Sequence, residues 1–424
     1  MNWNSAQWQR KVIELQKFIE PLVAGIGRSE RREGAALYVQ GLLMPGQRKS
    51  IEPMAARLRV DSQKLQQFMR DSPWPDRPVW QAIRGEVIPV VEPLQAWVVD
   101  ETGWQKQGHD SVGVSHQYCG AVGKQANCQV AVELAVSDGE VAAPVGGRLY
   151  LPESWAGDRA RREEGGVPSA VQFQTKPQIA GDLIEEALAD GLSAAPVLGD
   201  AVYGNASELR GRIRRLGLEY FFNAENHWLA WTQRPKLAQG PKLWRVANSA
   251  PKGQSLRRLA DGFKGKQWQA VAWQAADGEK RVTRLAWRPI YLHGDLDEQT
   301  GKWPGCWLVV DWPQGQADPY HVYVASLKQP PAKGRALRVS RGRWPIEQYF
   351  QRGKDDLGLD HYEGRSWRGF HHHLVMSAIA YLFVVVEYLR AKKNFWPDVG
   401  TGVASDAAIA GAFKRLLSLL SNGV

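Results

Sequence analysis

The run PQIAGDLIEEALADGL (Pro177–Leu192), APVLGDAVYGN (Ala195–Asn205), SELRGRIRRLG (Ser207–Gly217) and LEYFFNA (Leu218–Ala224) decides the fold. It alternates a segment of helical period with a short apolar one, twice over. Pro177 suits the first turn of its helix, where a missing N–H costs nothing. The apolar runs are too short for helices and are bounded by turn-forming residues. Upstream, AWVVD (Ala96–Asp100) is a third run of the same kind. Strand, helix, strand, helix, strand predicts an α/β core with parallel strands. Two of these strands end in a carboxylate, Asp100 and Asp200.

Working outward, VGVSHQYCGAV (Val112–Val122) and NCQVAVELAVS (Asn127–Ser137) read as β-rich, and residues 138–176 as a loop rich in Gly, Pro and charge. Residues 228–305 show no convincing helix. They carry short strands such as QWQAVAWQA (Gln267–Ala275) and RVTRLAWRPIYL (Arg281–Leu292), and nine of the nineteen Trp lie in 228–312. Most of those rings are expected to pack a small β subdomain. The α/β rhythm resumes with CWLVVDW (Cys306–Trp312) and HVYVASL (His321–Leu327), then a helix from about Pro345 and an apolar helix at 371–390. The expected organisation is a helical domain at 1–90, a core in two parts at 91–227 and 306–390, a β-rich insertion at 228–305, and a helical tail at 391–424.

Within the first domain, IEPMAARL (Ile51–Leu58), RVD and SQKLQQFMRD (Ser62–Asp71) read as two short helices with a tight connection and Ser62 as N-cap. The spacing fits a helix-turn-helix offering Gln63, Lys64 and Gln67 to a DNA groove, with Lys49 as a further basic contact. It equally fits a plain helical hairpin that packs Met54, Leu58, Leu65 and Phe68 inside.

The 424 residues are 44% hydrophobic and 23% charged, which excludes disorder and fibrous repeats and predicts two or three domains. Three scattered Cys exclude a disulfide scaffold and a Cys-rich zinc site and suggest a reducing compartment. No export signal is visible at the N-terminus. The apolar run Leu374–Leu389 is short for a membrane span and contains Glu387, so a buried helix is expected. The net charge of +10 is uneven: +5 over residues 1–90, −8 over 91–227 and +12 over 228–345. Basic segments suit a polyanion, and nucleic acid is the commonest. An acidic centre repels it unless cations intervene, so the pattern hints at a metal-dependent site on DNA or RNA.

Phosphodiester chemistry needs a nucleophilic oxygen activated, a leaving oxygen stabilised and the phosphorus held in line. Two Mg²⁺ ions about 4 Å apart supply all three, and carboxylates are their natural ligands. Asp100 and Asp200 stand at strand ends, where α/β sheets place ligands. Glu347 opens a later helix, with Arg343 four residues before it and Lys354 seven after. Seven residues are about two turns, so Glu347 and Lys354 share a face. A surface ladder of ion pairs would show the same spacing. Tyr203 follows Asp200 closely enough to reach a phosphate or brace the carboxylate.

The runs DETGW (Asp100–Trp104), SVGVSHQYCG (Ser111–Gly120), NCQVAV (Asn127–Val132), LYLPESW (Leu149–Trp155) and GDAVYG (Gly199–Gly204) resemble insertion-sequence transposases of the DDE superfamily. The resemblance covers most of residues 30–390. It implies an RNase H-like catalytic core interrupted by a β-rich insertion, a site for two Mg²⁺ (or Mn²⁺) ions, and DNA cleavage followed by strand transfer. It implies that Asp100, Asp200 and Glu347 are the catalytic and metal-binding triad. Arg343 and Lys354 match the Arg and Lys of a Tyr-Arg-Glu-Lys signature that contacts phosphates; Ser340 stands where its Tyr would be. The expected partners are the element's terminal inverted repeats and target DNA, bound by a homodimer with no membrane, in the bacterial cytoplasm at the nucleoid. Two rival expectations stand beside this: a host-repurposed nuclease without strand transfer, and a catalytically inactive DNA-binding regulator.

Other residues invite attention. Glu101 could replace Asp100 as ligand, but strand alternation sends the two to opposite faces, and Asp100 is preferred. His371, His372 and His373 are adjacent, about 100° apart on a helix, and suit a polar cap better than one ion. A Trp of the insertion could stack on an unpaired base at a DNA end.

Overall fold

The computed structural model describes residues 5–274, 279–317 and 321–395. The expected helical tail at 391–424 lies largely outside them. The chain forms two compact units, each assembled from separate stretches: one from 1–94, 100–193 and 345–424, the other from 95–99 and 194–344.

In the first unit a sheet is built by β1 (Ala96–Gln105), whose first residues belong to the other unit, with β2 (Ser115–Cys119), β3 (Lys124–Ser137) and β4 (Ala142–Leu149). β3 neighbours β1 and pairs antiparallel with β2 along its first half and with β4 along its second. β4 falls inside the stretch expected to be a loop, because Pro144, Gly146 and Gly147 read as breakers. The glycines serve packing instead: a Cβ on Gly147 would sit 2.7 Å from Leu374 and 3.2 Å from Glu133. Gly147 lets the long helix Trp367–Phe395 lie close on the sheet, while Gly146 faces Arg84 and Leu183.

That helix is longer than the apolar run suggested. Residues 367–392 are long and apolar enough to cross a membrane, yet 89% of the window is buried inside the protein. The N-terminal helices, among them Ser5–Leu22 and Ser29–Leu43, pack against it. The three histidines are therefore not a cap but part of this packing. His372 stacks on Trp74 with centroids 3.5 Å apart and lies between the Met69 and Trp74 carbonyls. His373 meets the Tyr38 hydroxyl at 2.8 Å and donates to Leu359 O, and His371 accepts from Leu149 N. With each ring bound to different partners, no shared ion is served.

Helix Ile51–Leu58 forms as read; the second is an α-helix over Ser62–Gln66 that continues as a π-helical turn over Gln67–Asp71, and Arg59 at φ 55° joins the two. The cap is Asp61 rather than Ser62: its carboxylate accepts from Gln63 N at 2.9 Å, and an ionised oxygen suits a helix N-terminus better than a hydroxyl. Met54, Leu65 and Phe68 are buried; Leu58 is half-buried.

The second unit holds a mixed sheet. β1 runs parallel to β5 (Val197–Gly199), which runs parallel to β6 (Tyr220–Asn223). Trp97, Val98 and Val99 are buried, as in a strand covered on both faces. Beyond β6 come β7 (Leu229–Trp231), a separate two-stranded sheet of β8 (Leu237–Gln239) and β9 (Trp244–Val246), then β10 (Gln254–Ser255), β11 (Gln269–Gln274), β12 (Lys280–Leu292), β13 (Cys306–Pro313) and β14 (His321–Ala325). The order is β10-β7-β12-β13-β14-β6-β5-β1, with β11 on β12. Only the β1-β5-β6 run is parallel. β13 and β14, which read as a return of the α/β rhythm, pair antiparallel with each other, and β14 pairs antiparallel with β6. A helix that the sequence did not suggest, Leu256–Asp261, is capped by the Ser255 side chain.

Aromatic packing in this unit follows expectation. Trp231 and Trp303 meet edge to face at 5.2 Å, as do Trp268 and Trp312 at 5.6 Å. Arg284 covers the Trp312 ring at 3.9 Å. Asp295, buried, accepts from Arg210 Nε and Arg214 Nη2 at 2.8 Å each and ties the helix Ser207–Arg215 to the end of β12.

Candidate active site

Asp100 follows the buried Trp97–Val99 run of β1 and is itself 8% exposed. Its Oδ1 accepts from Glu101 N at 2.9 Å. Glu101 pairs instead with Lys176 at 2.5 Å, in the first turn of the helix Lys176–Ala189. Alternation along the strand thus separates the two acids, and an ion pair occupies Glu101. That helix begins with a capping box: Thr175 Oγ1 accepts from Gln178 N and Gln178 Oε1 from Thr175 N.

Asp200 ends β5 and caps the short helix Ala201–Asn205, accepting from Val202 N at 2.9 Å. Two glycines around it are dictated by space. A Cβ on Gly199 would lie 2.9 Å from Val99 and 3.0 Å from Phe222, and one on Gly204 would strike Asn223 O. Tyr203 is buried in this turn, so packing accounts for its ring and no phosphate contact is open to it in this conformation.

Arg343 lies half-buried just past the helix Lys333–Arg341. A Cβ on the preceding Gly342 would approach Leu198 to 2.9 Å, so this segment crosses β5 two residues before Asp200. Arg341 anchors it: its guanidinium pairs with buried Asp311 at 2.8 Å and lies over the Trp273 ring. Ser340, where the signature Tyr would stand, donates back to Leu337 O.

Glu347 is half-buried in the first turn of the helix Trp344–Leu357. Lys354, two turns on, donates from Nζ to Gly103 O at 3.1 Å, and desolvation lowers its pKa. Beside it lies a residue the sequence reading passed over. Glu133 on β3 is fully buried, with Oε2 accepting from the Tyr349 hydroxyl at 2.8 Å and Oε1 without a hydrogen-bond partner. Burial pushes its carboxyl up to about 8, against the pull of the Tyr349 hydroxyl and Lys354, and Asp100 adds to the rise. A Glu in a buried β run was the signal that could have found it.

Among the described residues no group of three or more His, Cys, Asp or Glu side chains is gathered closely enough to hold an ion by itself. The donor set still fits Mg²⁺ or Mn²⁺. Carboxylates are hard oxygen ligands, and Mg²⁺ is commonly held by one or two of them with water and substrate phosphates completing the shell. Two buried oxygens on these strands, Thr102 Oγ1 on β1 and Glu133 Oε1 on β3, have no hydrogen-bond partner.

The residues expected to meet DNA in the N-terminal region divide. Gln63, Lys64 and Gln67 are exposed, with Lys64 3.5 Å from Glu33. Lys49 is 4% exposed and donates to Leu42 O at 2.8 Å and to Met44 O, closing the carbonyl end of the helix Ser29–Leu43. Burial, with Arg57 nearby, lowers its pKa to about 8. Its amine is spent on the fold.

Comparison with known proteins bears on this arrangement. The chain is 28% identical over 265 residues to the "Probable transposase for insertion sequence element IS701" of Microchaete diplosiphon. The match takes in 60% of this chain and 66%, just under two thirds, of that relative. The family described as DDE superfamily endonuclease matches residues 21–288, a span that includes Asp100 and Asp200 and stops before Glu347. The chain therefore belongs to the DDE superfamily endonucleases.

Proposed function

We propose that the chain is an insertion-sequence transposase that cuts DNA at the element's ends and joins the freed 3′-OH to target DNA. The observation that carries this reading is the meeting of three chain segments inside the second unit. Trp97 and Val98 pair with Val197 and Leu198, and Gly342 lies against Leu198. Asp100 comes two residues after Val98, Asp200 two after Leu198, and Glu347 five after Gly342. Each of the three acids thus follows, within two to five residues of sequence, one of the segments that meet in that unit. The parallel β1-β5-β6 run, with β3 beside β1 and antiparallel to β2 and β4, supports an RNase H-like core, with residues 228–305 as its insertion and 1–90 as the domain that grips the end.

Asp100, Asp200 and Glu347 would hold two Mg²⁺ or Mn²⁺ ions. Bound there, the ions would supply an activated oxygen nucleophile and charge stabilisation at phosphorus. Arg343 and Lys354 hold the flanking phosphates; Lys354 is placed for this by its bond to Gly103 O, which fixes its stem along β1. Asp200 is oriented by the helix it caps. Exposed Gln63, Lys64 and Gln67 read the terminal repeat. Exchange of one phosphodiester for another needs no external energy source, and joining two ends to one target calls for a homodimer on DNA, at the nucleoid.

The test is incubation with end-labelled terminal DNA, a target plasmid and Mg²⁺. The wild type is expected to give nicked ends and joined products, and Asp100→Ala to bind DNA normally and give neither. Strand transfer retained by Asp100→Ala would overturn the site, and cleavage without joining in the wild type would favour a nuclease.

A further inference from the structure

A buried carboxyl with one partner is costly to keep, and an apolar residue of similar size generally packs at least as stably. Glu133 is such a group, wholly buried on β3, with one oxygen bound to Tyr349 and the other bound to nothing. Packing alone gives no reason for it. What it does touch is the helix that carries Glu347. Along Trp344–Leu357 the buried residues Pro345, Ile346, Tyr349, Phe350, Arg352, Gly353 and Leu357 share one broad arc. At about 100° per residue, Glu347 and Lys354 sit within about 20° of each other beyond the edge of that arc, and Tyr349 lies near its middle, about 160° from Glu347.

An apolar face resists tilting but constrains rotation about the helix axis weakly, because apolar contacts are not directional. Directional bonds supply that constraint, and the Tyr349 bond to Glu133 is the buried one, across the helix from the Lys354 bond to Gly103 O. A roll of about 20° would carry a carboxylate lying about 6 Å from the axis through about 2 Å, several times the roughly 0.5 Å a metal-binding constellation tolerates. We propose that Glu133 is a positioning residue for the active site: through Tyr349 it fixes the roll of the Glu347 helix and so the presentation of Glu347 and Lys354. It touches neither DNA nor the reacting atoms. The inference rests on the active-site reading above.

Three variants and Mn²⁺ titration of the full chain test it. Tyr349→Phe deletes only the hydroxyl, Glu133→Leu removes the acceptor, and Glu133→Gln keeps a carbonyl oxygen for Tyr349. Tyr349→Phe and Glu133→Leu are expected to weaken Mn²⁺ binding about tenfold, the scale of lost outer-shell contacts at metal sites, while Glu133→Gln stays within about threefold of wild type. A merely structural pair would move the melting temperature and leave Mn²⁺ affinity of the folded protein unchanged, and that result overturns the inference. Asp100→Ala separates the two failures. If it loses Mn²⁺ and Tyr349→Phe does not, only the role of Glu133 falls; if Asp100→Ala binds Mn²⁺ normally, the site itself falls and the inference with it.

Discussion

At Asp200 one carboxylate caps a helix and, in the proposed triad, would also hold metal, and the two purposes can be separated. Asparagine retains an acceptor for Val202 N and Tyr203 N but removes the charge a divalent ion needs. Asp200→Asn is expected to melt within a degree or two of wild type while DNA cleavage falls by about a thousandfold or more, since several kcal/mol of charge stabilisation disappear. Asp200→Ala should additionally lose about 1 kcal/mol of stability with the cap. An Asp200→Asn protein that cuts at the wild-type rate would remove this residue from the site. His373 offers a purely thermodynamic test. Burial lowers its pKa from 6.5 to about 4, and its neutral ring is satisfied by Tyr38 and Leu359 O. Between those values the unfolded chain binds the proton and the folded one does not, so stability is lost as pH falls below 6.5. Denaturant unfolding at pH 7 and pH 5 should show His373→Gln losing about 2 kcal/mol less than wild type over that interval. Equal losses would mean that another group dominates acid unfolding.

Elements in this protein are spaced by glycines at which a side chain has nowhere to go. Gly204→Ala would drive a Cβ into Asn223 O and to 3.0 Å from Phe222 Cβ, and neither partner can swing away as a flexible chain end would. The turn bearing Asp200 must then shift from β6, at an expected cost of about 1–3 kcal/mol together with a loss of cleavage. Gly211→Ala is the control: its Cβ meets only the tip of Arg215 at 3.4 Å, and a helix-interior alanine should add up to about 1 kcal/mol. Thermal melts and cleavage assays on the pair decide it, and a neutral Gly204→Ala would discredit the spacing argument. The same glycines mark where reading the sequence succeeded and failed. β5 and β6 were legible because each is a short apolar run with a clear end, and GDAVYG carried a family likeness; β1 was legible only as far as Asp100, where its apolar run stops, and the strand continues to Gln105. β4 was not, because its Gly146 and Gly147 signal a break locally, while what requires them lies far off in sequence: Arg84 and Leu183 for Gly146, and Leu374 for Gly147. The helix Leu256–Asp261 was missed because six residues give too little periodicity to see. Glu133 was missed for a related reason: its meaning lies in Tyr349, which no local pattern connects to it.

At the scale of the whole molecule the legible quantity is charge, and the limit is that charge counts do not say which cations are available. The chain carries +10, with its basic excess in residues 1–90 and 228–345. The proposed DNA partner suits that balance, and its binding is expected to weaken as salt rises because each neutralised phosphate releases counterions. Within the N-terminal region the sequence offers Lys49, Gln63, Lys64 and Gln67 on equal terms, and the structure ranks them. Lys49 is buried with its amine donating to backbone carbonyls, whereas Lys64 is exposed and only loosely paired with Glu33 across 3.5 Å. An exposed pair of that length contributes little and breaks readily in favour of a phosphate. Lys64→Ala is therefore expected to lower the slope of log affinity against log salt by about 1, without changing preference among DNA sequences. Gln63→Ala and Gln67→Ala should leave that slope intact and lose about 1–3 kcal/mol of discrimination for terminal-repeat DNA, as amide contacts to base edges would. Lys49→Met should leave both slope and discrimination alone and lower thermal stability, since two helix-end carbonyls lose their donor. Fluorescence anisotropy from 50 to 300 mM salt on repeat and scrambled duplexes measures all four. A salt slope that drops with Lys49→Met and not with Lys64→Ala would reverse the ranking and point the protein's DNA-gripping face away from the Ser62–Gln66 helix.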